Sequence, residues 1–185
     1  MMTPALFTLT ALLILHRSFA SQEYLERNPA LQEYQNTSPV FPLKETWYVV
    51  YRNFKTDPLF GGAEKCLRFV ETDPGVNGTY PLTVHYTPSH SIALTATPSS
   101  SVGYTLHNIV EFGPQGFQML SATAYSAYTD AEKCQVLRLP YAGANACGLF
   151  VPKSQLGSTN TCCHFIFDLL CGTHEKYMVY DPSCP

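Results

Sequence analysis

From Thr46 onward, apolar and polar side chains alternate with a period of two, the pattern of half-buried β-strands. The run over 46–52 places Trp47, Val49 and Tyr51 on one face and Tyr48, Val50 and Arg52 on the other. The run over 65–71 puts Leu67 and Phe69 opposite Cys66 and Arg68. Further strand-like runs cover 81–86, 91–97, 104–112, 117–128 and 133–139. Their separators are short and rich in turn residues, with Asp73-Pro74-Gly75 followed by Asn77-Gly78 the strongest. Seven strands at this spacing, with no helical period between them, predict an all-β antiparallel meander that closes on itself. An up-and-down barrel fits best, and a sandwich is the alternative. Only residues 162–170 read as helix, with Thr159, Asn160 or Thr161 as amino-terminal cap and Gly172 just past the end. A short strand over 177–180 then precedes Cys184. Residues 21–42 are polar and broken by Pro29, Pro39 and Pro42, with Tyr24, Leu25, Leu31 and Tyr34 available for one or two plugging helical turns.

The amino terminus sets the expected compartment. Residues 4–15 form an apolar run too short to span a bilayer as a helix, and Ser18-Phe19-Ala20 supplies a small-x-small cleavage pattern. Residues 1–20 are therefore expected to be a signal peptide, and 21–185 a single secreted domain. Asn36-Thr37-Ser38 and Asn77-Gly78-Thr79 are acceptor sequons, which makes Asn36 and Asn77 candidate glycosylation sites. Without Arg17 the chain carries 10 basic and 14 acidic residues, a net charge of −4, and no basic run. Nucleic acid and anionic membranes are thereby excluded as expected partners.

Aromatic residues are numerous, with 12 Tyr and 11 Phe. A closed barrel of about eight strands leaves room for one small ligand, so ring-rich strands suggest a lined cavity. Tyr80, Tyr86, Tyr104, Phe112, Phe117, Tyr125 and Tyr128 are the mid-chain rings available for it. Catalytic signatures are missing: there is no G-x-S-x-G elbow, H-E-x-x-H pair or phosphate-cradling glycine loop. No histidine pair sits at a metal-ligand spacing, so neither an enzyme nor a cofactor is expected. The seven cysteines, five of them from Cys147 onward, read as disulfides in an oxidising compartment, and the odd count leaves one over.

Three landmarks carry a resemblance. The first is Trp47-Tyr48-Val49-Val50-Tyr51-Arg52-Asn53-Phe54, then Asp57-Pro58-Leu59-Phe60-Gly61-Gly62 and Lys65-Cys66. The second is Cys134-Gln135-Val136 followed by Cys147-Gly148-Leu149-Phe150-Val151-Pro152. The third is Cys163-His164-Phe165-Ile166-Phe167-Asp168-Leu169-Leu170-Cys171-Gly172, closing with Val179-Tyr180-Asp181-Pro182-Ser183-Cys184. In order and spacing these resemble the tick salivary lipocalins, the family containing the histamine-binding proteins. The resemblance implies an eight-stranded barrel with the carboxyl-terminal helix outside, and bridges Cys66–Cys184, Cys134–Cys163 and Cys147–Cys171. Cys162 is left without an assigned partner. It also implies sequestration of a small host mediator at the feeding site. Family members that hold amines need buried carboxylates, because a buried ammonium must be paired. Here Gln135 stands where the family pattern has Asp, Gly148 where it has Glu, and Phe150 where it has Trp or Tyr. Asp57, with Phe54 and Phe60 nearby, matches acidic and aromatic positions that relatives use, and equally suits a turn before Pro58. The expected ligand-binding set is Phe54, Asp57, Phe60, Tyr104, Tyr125, Gln135 and Phe150, with Asp57 or Glu111 required if an amine binds. The favoured guest is apolar or lipid-like. The alternatives are a biogenic amine, or a host serum or cell-surface protein held by loops such as 73–79 and 142–146.

Overall fold

The computed structural model describes residues 24–87, 89–115, 121–159 and 161–185. The expected signal peptide lies outside these residues, as do Pro88, Asn160 and the first four positions of the strand expected over 117–128. The chain forms strands β1 Trp47–Arg52, β2 Arg68–Glu71, β3 Tyr80–Tyr86, β4 His90–Ser99, β5 Ile109–Pro114, β6 Ala122–Asp130, β7 Cys134–Arg138, β8 Cys147–Pro152 and the short β9 Tyr177–Met178. Consecutive strands pair antiparallel from β2 to β8, and β1 pairs with both β8 and β2. That double pairing closes an eight-stranded barrel, as the meander and the resemblance predict. The ninth strand joins β1 from the carboxyl-terminal tail.

Local chemistry explains where the elements begin. The hairpin between β2 and β3 turns at Asn77 and Gly78, both at positive φ (52° and 76°), as a two-residue turn in a right-twisted hairpin requires. The second strand starts at Arg68 rather than Lys65 because Cys66 is left-handed (φ 59°), which breaks the extended run. The strand expected over 104–112 starts only at Ile109. Ahead of it Asn108 is buried, accepting from the Ser101 backbone N–H at 2.8 Å and donating to Ser101 Oγ at 3.0 Å, so residues 101–108 loop back. The eighth strand shows no alternation in sequence because both its faces are covered: Phe150 turns inward, while Leu149 and Val151 pack in the cluster beneath the helix.

The first strand departs from simple alternation. Its pairing with β8 slips between Val49 and Tyr51, a β-bulge. Trp47 and Val49 face the barrel core as expected, but Tyr51 does not join them. The bulge exchanges the two faces beyond Val50, sending Tyr51 outward under the helix and Arg52 toward the 53–66 connection. The turned-out carbonyl of Val50 accepts from the N–H groups of Val179 and Tyr180, so the tail stabilises the irregularity.

Outside the barrel lies α1, Thr161–Cys171, which buries Cys163, Phe167 and Cys171 at four-residue spacing, one face of a helix. Disulfides Cys134–Cys163 and Cys147–Cys171 fasten that face to β7 and β8, and Cys66–Cys184 fastens the tail, the same three pairs that the resemblance implies. Cys162 is free and exposed. The amino-terminal segment makes three short turns, Leu25–Arg27, Pro29–Tyr34 and Ser38–Val40. Buried Glu26 pairs with Arg138 at 2.5 Å, and Arg138 also donates to the Leu170 carbonyl at 2.7 Å, tying segment, barrel and helix together.

Candidate functional site

The inward side chains of the strands meet in one apolar core. Its cavity is lined by Trp47, Phe69, Val110, Phe112, Leu137, Phe150 and Gln135, and is closed at one end by Val40, Phe41 and Leu43 of the amino-terminal segment. The volume is about 30 Å³, room for one or two waters. Gln135 is its polar group: buried, with the amide nitrogen donating to Thr129 Oγ1 at 3.2 Å. Gly148 is on the same inward face as Phe150, two residues along β8, and a Cβ added there would lie 2.9 Å from the Phe150 ring. The ring therefore occupies the space where a glutamate side chain would begin.

At the other end of β1, the 53–66 connection folds over the barrel. Phe60 is buried with its ring edge-on to Phe69, Phe112 and Tyr141, centroids 5.7–6.0 Å apart. Asp57 anchors this connection. Its Oδ1 accepts from the N–H groups of Leu59 and Phe60, both at 2.9 Å. Its Oδ2 accepts from the Tyr141 hydroxyl at 3.3 Å and lies 3.6 Å from Arg52 Nη1. Burial raises the Asp57 pKa above the ordinary value, opposed by the two backbone donors and by Arg52. Burial, together with the nearby Asp57, keeps Tyr141 protonated well past its usual range. Arg52 donates to the carbonyls of Lys55 and Gly62, and its guanidinium lies 5.1 Å from the Phe54 ring centre.

The structure thus brings together Phe54, Asp57, Phe60, Gln135 and Phe150 around the barrel interior. It places Tyr104 and Tyr125 elsewhere. Tyr104 packs under the amino-terminal segment, its hydroxyl donating to Gln35 Oε1 at 2.8 Å, with the Glu26 carbonyl oxygen also within reach at 3.1 Å. Tyr125 alternates outward from the inward-facing Ala122 and Ala124, with the Arg27 guanidinium over its ring. Glu111 is exposed and accepts from Ser99 Oγ at 2.7 Å, so it offers the interior no charge. Arg52 and Tyr141 escape a reading by residue pattern. Arg52 carries the one available signal, a lone charge in an apolar strand five positions before an aspartate.

Among the described residues no group of His, Cys, Asp and Glu is placed to hold a metal ion, and no helix is long and apolar enough to cross a membrane.

Comparison with known proteins gives three results. The chain matches the family model described as tick histamine binding protein over residues 25–185. Curated proteins yield no match. Among solved structures, the serotonin complex of AM182 superposes with a TM-score of 0.58 at 18% identity, covering 90% of this chain and 98% of that one. The H1 crustacyanin of the lobster Homarus americanus gives 0.51 at 15% identity, covering 84% and 86%. At these identities the neighbours share the barrel fold. The family match spans most of the sequence, and the chain belongs to the tick histamine-binding protein family.

Proposed function

We propose that this protein is secreted and sequesters a small, largely apolar host mediator, such as an eicosanoid, fatty acid or sterol, inside its barrel. Family membership and the serotonin-bound neighbour support small-molecule binding. One observation favours an apolar guest over an amine: Asp57, the buried acid beside the interior, is already committed to Arg52, Tyr141 and two backbone donors. Gln135 and Gly148 add no charge, and an unpaired ammonium in this interior carries a large desolvation cost. The ligand-facing set is Phe54, Phe60, Gln135 and Phe150, joined by Trp47, Phe69 and Phe112. Native mass spectrometry of the secreted protein, with calorimetry against histamine and serotonin, tests this reading. A co-purifying apolar molecule and weak amine affinity are expected. Submicromolar amine binding with no retained lipid overturns it.

The narrowness of the interior favours a second reading. A cavity of about 30 Å³ admits a mediator only if rings such as Phe60 and Phe150 move. A barrel that stays packed would act through its loops on a host serum or cell-surface protein. Capture of a complement component by ligand-free protein, with no guest bound at any concentration, would establish that alternative.

A further inference from the structure

A second hollow lies against the first, at the end of the barrel that the amino-terminal segment closes. Its walls come from that segment, the start of β1, the turn between β6 and β7, and the end of β8 with the residues after it. Val40 and Trp47 line both hollows, so they form the wall between them. The outer cleft measures about 460 Å³, within the range of about 300–1,000 Å³ that small-molecule sites occupy, whereas the inner cavity of about 30 Å³ falls far below it. Burial orders the lining by depth. Val40, Trp47 and Pro152 are buried and make an apolar floor, while Lys44 and Glu132 are exposed at the rim. Three lining residues are charged: Lys44, Glu45 and Glu132. Glu45 is engaged, accepting from the Ser154 backbone N–H and hydroxyl, both at 2.7 Å. Among the described residues, Lys44 and Glu132 enter no ion pair. One uncommitted cation and one uncommitted anion therefore stand on the rim of a single cleft with an apolar floor.

We propose that this cleft seats the head group of a zwitterionic single-chain lipid of the phosphocholine kind. Its ammonium lies toward Glu132 and Glu45, its phosphate at Lys44, and its chain runs over Val40 and Trp47 toward the interior. This rests on the apolar-guest reading above for the chain, and adds to it the chemistry of the head. The charge balance selects that chemistry. One lysine against two glutamates leaves the lining at −1, so a purely anionic head meets net repulsion. A purely cationic head is drawn to the two acids but faces Lys44. A head that carries both charges is matched at each. The charges sit on an exposed rim, where an ion pair is worth little, so the head supplies selectivity and the buried chain supplies most of the affinity. The dividing wall can yield without breaking the barrel ladder, because Val40 belongs to the short turn Ser38–Val40 and not to a strand.

Trp47 lines both hollows and is the sole tryptophan of the chain, so its fluorescence reports the filling of either. The test titrates wild-type protein with decylphosphocholine, decyltrimethylammonium, decanoate and decanol, each below its micellar concentration. Decylphosphocholine is expected to bind tightest, about twofold to fivefold ahead of decyltrimethylammonium, as one exposed ion pair implies, and decanoate weakest. Lys44→Gln is expected to remove that lead. Glu132→Gln is expected to weaken both cation-bearing probes by a similar factor, and neither variant to alter decanol binding. Both positions are exposed, and unchanged thermal melts show that the fold is kept. Equal affinities for all four probes, with both variants silent, overturn the head-group site but leave the apolar guest standing. Tightest binding of decanoate or of decyltrimethylammonium overturns the zwitterion. Phosphocholine without a chain binding as well as decylphosphocholine overturns the link between cleft and interior. Binding of none of the probes overturns both the site and the function on which it rests.

Discussion

At the scale of single residues, the barrel interior is governed by one buried ion pair. Asp57→Asn keeps the shape and the turn but leaves the Arg52 guanidinium without a counter-charge in a dry site. Breaking a buried pair in this way costs about 3–5 kcal/mol. Guanidinium denaturation of the variant should show a loss of that order, while calorimetry shows no fall in the affinity of an apolar guest. An equally stable variant would mean that Asp57 is solvated and free to meet an amine. Family resemblance marked Asp57 as either ligand or turn residue. The structure makes it the keystone of the turn, because both carboxylate oxygens already have partners. No local pattern announces that Arg52 is the partner, since its arrival depends on a bulge two positions earlier.

At the scale of elements, the helix and β1 are held by an aromatic and ionisable contact. The Tyr51 ring meets Phe167 edge-on at 4.8 Å, and its hydroxyl shares a hydrogen bond with Nδ1 of His164 at 2.7 Å. Burial and Lys176 hold the His164 pKa below its ordinary value. Burial and Arg68 act on His85 in the same direction. A depressed histidine pKa means that the unfolded chain takes up its proton first as pH falls, so stability drops below about pH 6.5. Thermal melts should fall between pH 7 and pH 5, and His164→Gln should flatten part of that slope; an unchanged slope would place the dependence elsewhere. Along the same helix, Phe167→Ala should cost about 3–5 kcal/mol, whereas exposed Phe165→Ala should stay within about 0.5 kcal/mol. Chemical denaturation distinguishes the two faces.

At the scale of the whole molecule, three disulfides tie the tail and helix to a barrel that already closes by hydrogen bonding. The Cys66–Cys184 bridge spans 118 residues, and losing it through the C66S/C184S double variant should cost about 4–5 kcal/mol in the chain-entropy model. Peptide mapping should return the three pairs, with one thiol per chain, Cys162, reacting with an alkylating agent in the native state. Three alkylated thiols would indicate that a bridge is missing. The sequons differ in setting. Asn77 stands exposed at a hairpin tip, while Asn36 is half-buried with its Oδ1 accepting from the Ser38 backbone and Thr37 buried beside it. Secretion from eukaryotic cells should therefore give a glycan at Asn77, lost in Asn77→Gln, and little or none at Asn36. A glycosidase mass shift checks this.

Strand order, the lone helix and the stapled tail were legible in the chain because they rest on local physics: period-two alternation, turn residues at Asn77-Gly78, and a glycine closing the helix. The missing carboxylates at Gln135 and Gly148 were legible too, once family landmarks fixed their positions. What the chain alone did not determine is which way side chains point beyond an irregularity. A single bulge at Val50 reverses the faces of β1, turning Tyr51 out and bringing Arg52 to Asp57. The loop at 101–108, held by Asn108, removes Tyr104 from a strand in the same way. Such slips depend on backbone groups finding partners far along the sequence, here the tail at Val179 and Tyr180. Only the folded arrangement brings those partners within reach.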